Sequence, residues 1–108
     1  MKKACSLFLV VFFISASVAV FAKEDGKMNK GESLFKENCS PCHPNGSNII
    51  NSSFTLHKKD REAHGVKTAK DIVGKMRNPG PGMTKFDEKT IPEKDAKAIA
   101  EYILKTFD

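Results

Sequence analysis

One apolar run dominates the start of the chain, and nothing after it has the same character. From Cys5 to Phe21 the residues are apolar or small almost without a break, behind the basic pair Lys2 and Lys3. That is the layout of an export signal. Val20-Phe21-Ala22 puts small residues where a signal peptidase reads, which predicts removal of residues 1–22 by a cut before Lys23, with a cut after Ala19 as the alternative. The run is about 17 residues, at the short edge of what spans a bilayer, so cleavage is expected rather than a retained anchor. Cys5 stands at the start of the run instead of just after it, so it is not placed as a lipid-acceptor cysteine.

Beyond Lys23 the apolar residues recur at helical spacing. Lys23 to Met28 is polar and expected to fray. Asn29-Lys30-Gly31-Glu32 matches a capping box, and Leu34 and Phe35 give the helix after it an apolar face, which predicts a helix from about Lys30 to Asn38. Pro44 to Phe54 reads as a loop, interrupted by the apolar pair Ile49-Ile50. A short helix over Thr55 to His64 follows, with Leu56 inward and Gly65 as its cap. Thr68-Ala69-Lys70-Asp71 starts another, carrying Ile72, Val73 and Met76, and Pro79 forces it to end by Asn78. Pro79-Gly80-Pro81-Gly82 is stiff and irregular and leads into Met83. A third capping box, Thr90-Ile91-Pro92-Glu93, opens a helix from about Ile91 to Thr106 whose Ala96, Ile99, Tyr102, Ile103 and Phe107 share a face. With no alternating strand pattern and no internal repeat, the chain reads as one all-α domain of three to four helices over residues 23–108.

A domain this short builds a marginal core and needs a staple. Losing Lys2 and Lys3 with the signal lowers the formal charge from +5 to about +3, too little to expect nucleic-acid binding. The absence of Trp and the single Tyr also argue against a base-stacking surface.

The chemistry lies in Cys39-Ser40-Pro41-Cys42-His43. Cys-x-x-Cys-His is the pattern of covalent c-type haem attachment. The two thiols form thioethers with the haem vinyl groups, and the next imidazole reaches the iron as an axial ligand. A redox disulfide of thioredoxin type needs a βαβ context that is missing. A zinc site would have to borrow His57 and His64 at spacings that fit no finger, and would leave His43 unexplained. Haem also supplies the staple, as a large and mostly apolar disc. For the second axial position the candidates are Met28, Met76, Met83, His57 and His64. Met83 is favoured, because the Pro/Gly segment before it can bring the backbone close to the haem, and its thioether is a soft donor that favours ferrous iron. Met76 shares the spacing of Ile72 and Val73 and reads as packing. Met28 sits in the polar N-terminal stretch, and the two histidines lie among charges.

The pattern resembles the class I cytochromes c. Within them it is most similar to the small photosynthetic-type cytochromes c of algae and cyanobacteria and to related bacterial periplasmic monohaem cytochromes. The matching residues are Gly31-Glu32-Ser33-Leu34-Phe35, Asn38 with Cys39-Ser40-Pro41-Cys42-His43, Asn48-Ile49-Ile50, Thr55-Leu56, Met83 with Phe86, and Ala100-Glu101-Tyr102, spread over residues 30–106. The resemblance implies that Gly31 and Phe35 pack on the last helix near Tyr102 and that Asn48 lies near the haem edge. It further implies that Ile49, Ile50, Leu56, Ile72, Met76 and Phe86 line the pocket. Two positions depart from the family habit: Thr84 stands where Pro often follows the axial Met, and Lys75 where photosynthetic members often carry Gln. Both bear on the potential and the photosynthetic role rather than on the ligands.

A six-coordinate haem c held by His43 and Met83 points to a diffusible, monomeric electron carrier of the periplasm, not an enzyme. Its partners are expected to be redox proteins that dock transiently at the exposed haem edge, over apolar residues rimmed by Lys58, Lys59, Lys75 and Lys85. The alternatives are a haem-based sensor with a labile sixth ligand and a non-haem Cys-x-x-Cys oxidoreductase.

Overall fold

Gly31 is where the first and last helical segments meet. A methyl group at this position would lie 2.3 Å from the Ala98 carbonyl oxygen and 3.0 Å from Cβ of Tyr102, so only a glycine lets the two backbones approach so closely. In a computed structural model that describes the backbone of residues 18–108 and the side chains of residues 26–108, these segments are α1 (Val18–Asn38) and α4 (Glu93–Thr106). Between them come a 3-10 turn (Pro44–Gly46), α2 (Lys58–Ala63) and α3 (Ala69–Arg77). No strand occurs among the described residues. The fold is all-α, with α1 and α3 both packed on α4. The expected export signal, residues 1–22, lies largely outside the described residues. Among the described residues no helix is long and apolar enough to cross a membrane.

The apolar stripe foreseen on α4 is the core. Ala96, Ile99, Ile103 and Phe107 are buried against Phe35 of α1 and against Ile72, Val73 and Met76 of α3. Phe35 lies 5.3 Å from the rings of both Tyr102 and Phe107, the packing that the resemblance implied. Lys30 of α1 reaches Asp95 of α4 at 2.9 Å.

Two of the expected capping boxes do not form. α1 does not begin at an Asn29 cap: the helix runs through it from Val18. Ala22, Lys23, Glu24, Lys27 and Met28 are good helix formers, and extending an anchored helix costs far less than starting one. Glu32 does not turn back to Asn29; it pairs with Lys36 one turn on, at 2.9 Å. α4 begins at Glu93 instead of Ile91, and Thr90 and Glu93 form no capping box. Glu93 faces Arg77 of α3 at 3.4 Å, and the Thr90 amide and hydroxyl both donate to Asp87.

α3 forms as its sequence implies. Thr68 and Asp71 make the reciprocal capping box, and the amides of Thr68 and Lys67 hold the Asp71 carboxylate below its usual pKa. α2 is shorter than Thr55–His64, but its end is as expected. Gly65, at φ 75°, donates to Glu62 and Val66 donates to Arg61, the paired bonds of a Schellman cap.

Candidate functional site

α1 hands the attachment motif directly into the next turn of chain. The Cys39 and Ser40 amides donate to Phe35 O at 2.8 and 2.9 Å, while Cys42 and His43 donate to Cys39 O at 3.1 and 2.8 Å. This near-helical winding brings Cys39, Cys42 and His43 to one wall of a cavity of about 490 Å³, a size usual for small-molecule and cofactor sites.

His43 is buried, 9% exposed, and its Nδ1 lies 2.8 Å from the Ser47 carbonyl oxygen. A carbonyl only accepts, so Nδ1 carries the proton and Nε2 keeps a bare lone pair, the arrangement that orients a metal-ligating imidazole. The 3-10 turn delivers that carbonyl through two left-handed residues, Asn45 at φ 53° and Gly46 at φ 80°. A Cβ on Gly46 would also run into the Phe107 ring at 2.6 Å. Burial, with Cys42 alongside, pushes the Cys39 thiol up to about 11. Reactive redox thiols have lowered values, so this thiol is poorly suited to disulfide exchange.

Asn48, Ile50, Leu56, Ile72, Met76, Met83 and Phe86 line the same cavity. Asn48 shapes its loop: Oδ1 accepts from the Ile50 and Asn51 amides at 2.9 Å each, and Nδ2 donates to Phe54 O at 3.0 Å. Ile49 departs from expectation. It is 64% exposed and not on the wall, because its amide is tied to Cys42 O at 3.1 Å while the Asn48 turn carries the next residue inward. Of the axial candidates, Met76, Met83 and His64 border the cavity; Met28 and His57 do not. His57 packs edge-on to Phe107 instead.

Met83 is 36% exposed, on a segment fixed at its far end. The Phe86 amide donates to Met76 O at 2.9 Å, and Arg77 Nη1 donates to Phe86 O at 3.1 Å and to Ile91 O at 2.8 Å. Asp87, held below its usual pKa by bonds from Thr90 and Lys89, closes the turn behind it. Gly82 at φ 87° sits just before Met83.

Sequence reasoning missed Arg61 of α2, which borders the cavity together with His64, an axial candidate just past the end of α2. The run Lys58-Lys59-Asp60-Arg61-Glu62 reads as a solvated face, yet Arg61 is 4% exposed with Nε donating to Leu56 O at 2.7 Å. His64 stacks on Phe54 with ring centres 4.0 Å apart, and its Nδ1 donates to Asp60 O at 2.8 Å. Lys75, where the resemblance led one to look for Gln, borders the cavity too.

The residues fit a covalently attached haem. Two thiols, an imidazole with a free Nε2 and a thioether all line one largely apolar cavity.

Comparison with known proteins agrees with this chemistry. The family model described as cytochrome c oxidase, cbb3-type, subunit III matches residues 26–103. A cytochrome c6 from a Synechocystis species is 33% identical over 100 residues, covering 93% of this chain and 79% of the relative. Among solved structures, the outer membrane cytochrome OmcF of Geobacter sulfurreducens is 44% identical at a TM-score of 0.71, covering 72% of this chain and 99% of OmcF. Oxidised cytochrome c6A from Arabidopsis thaliana is 31% identical at a TM-score of 0.64, covering 71% and 86%.

Proposed function

This chain belongs to the class I c-type cytochromes, electron-transfer proteins with covalent haem, and on that premise we propose that it is an exported carrier whose iron is held by His43 and Met83. When bound, the haem supplies a reversible one-electron change between ferrous and ferric iron. The chain supplies everything else. Cys39 and Cys42 tether the cofactor, and His43 Nε2 is presented as a fixed lone pair by the Ser47 carbonyl. Ile72, Met76 and Phe86 exclude water and lower the local dielectric. The Met83 segment, pinned by Arg77 and Phe86, keeps a thioether within reach of the cavity in both redox states. Two ligands held by rigid surroundings keep reorganisation small, which suits fast electron transfer. The observation that carries this reading is the one cavity that Cys39, Cys42, His43 and Met83 all line.

Ile50, 62% exposed, and Met83 border the mouth of the cavity and form, with the neighbouring Ile49, an apolar edge at which a redox-partner protein docks transiently. Cleavage of residues 1–22 frees the carrier into the periplasm. A spectroelectrochemical titration of the holoprotein is expected to follow one reversible one-electron transition, with unchanged haem absorbance after repeated cycling. A colourless chain whose redox change is a two-electron dithiol couple overturns this function.

A further inference from the structure

Only two polar or charged residues are buried among the described ones, His43 and Arg61. His43 has its role; Arg61 has half of one. Its Nε donates to Leu56 O at 2.7 Å, but Nη1 and Nη2 meet no acceptor among the described residues, and no carboxylate lies within 4.0 Å. The neighbouring Asp60 carboxylate is taken by the Thr55 hydroxyl. A guanidinium stays charged at every accessible pH; the unbonded Nη atoms of Arg61 are not sealed from solvent, so they remain free to meet a counter-ion. Arg61 borders the same cavity as Cys39, Cys42 and His43. Two parallel N–H donors on a planar cation match a carboxylate in bidentate fashion, and a haem carries two propionate carboxylates.

We propose that Arg61 is the anchor for one propionate of the haem, holding that carboxylate ionised in both redox states. This rests on the reading of the cavity as a haem site. Reduction adds negative charge at the iron and raises the proton affinity of a nearby carboxylate. Without a paired cation, that carboxylate takes up a proton as the iron is reduced, and the potential then falls as pH rises through the carboxylate's range. Besides Cys39 and Cys42, which the thioethers take up, the other titratable or charged groups lining the cavity are Asp60 of α2, His64 just past it, Lys75 of α3, and His43. α4 contributes only the apolar Ile103 there. Asp60 is engaged by Thr55, and exposed His64 and Lys75 are better solvated than Arg61.

The test is the potential of the haem-loaded protein from about pH 5 to pH 8, the window in which histidines and raised carboxylates titrate. Arg61→Met is expected to add a proton-linked step absent from the parent, Arg61→Lys to remove most of that step, and Glu62→Gln, on the exposed face of α2 outside the cavity, to leave the parent profile unchanged. An Arg61→Met profile that superimposes on the parent's overturns the proposal. Should Arg61→Met fail to hold haem, the unmodified holoprotein decides. Slowly exchanging Arg61 Nη–H resonances with cross-peaks to propionate methylene protons are expected, and freely exchanging ones without such cross-peaks overturn it. A colourless parent instead overturns the haem reading itself, so the two failures are distinct.

Discussion

Replacing both Cys39 and Cys42 by Ala is expected to yield a colourless and largely unfolded chain. The cavity between α1, α2 and α3 has a volume of about 490 Å³. Left unfilled, that space leaves the apolar side chains that line it wet and without partner atoms, in a domain whose total stability is small. The rest of the core is one stripe of α4 against Phe35 and three residues of α3, too little to absorb the loss. Haem without its thioethers also dissociates, so the double variant loses both the filler and the tether. Far-UV circular dichroism on heating, with haem content measured alongside, checks this: the parent melts cooperatively, and the double variant shows no cooperative melt. A colourless double variant with a parent-like melt shows that the polypeptide core is sufficient alone.

Met83→Ala acts on the iron and not on the fold. The segment that carries Met83 is held by Arg77, by Phe86 on Met76, and by Asp87 behind the turn. None of these bonds uses the methionine side chain, so thermal stability is expected to change little. The potential is expected to fall on the order of 0.2 V, a fraction of the ~0.8 V range over which axial ligands set haem potentials. The open position then takes external ligands such as imidazole. Spectroelectrochemistry of the variant checks both effects. An unchanged potential and spectrum would show that another group, with His64 and Met76 the nearest alternatives on the wall, binds the iron.

What the sequence makes legible is what short-range bonds decide. The α3 start at Thr68 and the α2 stop at Gly65 involve partners within a few residues, and both form as the pattern implies. The caps at Asn29 and Thr90 fit the same pattern and fail, because Glu32 and Glu93 have competing partners in Lys36 and Arg77. Arg77 stands 16 residues before Glu93, a pairing no local rule registers. The site divides in the same way. Cys39, Cys42 and His43 are adjacent, so their chemistry is visible in one motif, and Met83 is marked by its Pro/Gly approach. Ile49 and Ile50 differ by one position, and only the Asn48 side chain decides which turns toward the cavity. Arg61 looks like one more surface charge among five. Its burial depends on the Leu56 carbonyl and the cavity wall, and both are tertiary features.

The most direct measurement of the central claim is the visible spectrum of the reduced holoprotein before and after carbon monoxide at neutral pH. With His43 and Met83 both on the iron, the spectrum stays unchanged on addition, whereas Met83→Ala shifts at once. A prompt shift in the parent protein would contradict the account, for it would mean an iron open to ligands rather than one closed for electron transfer.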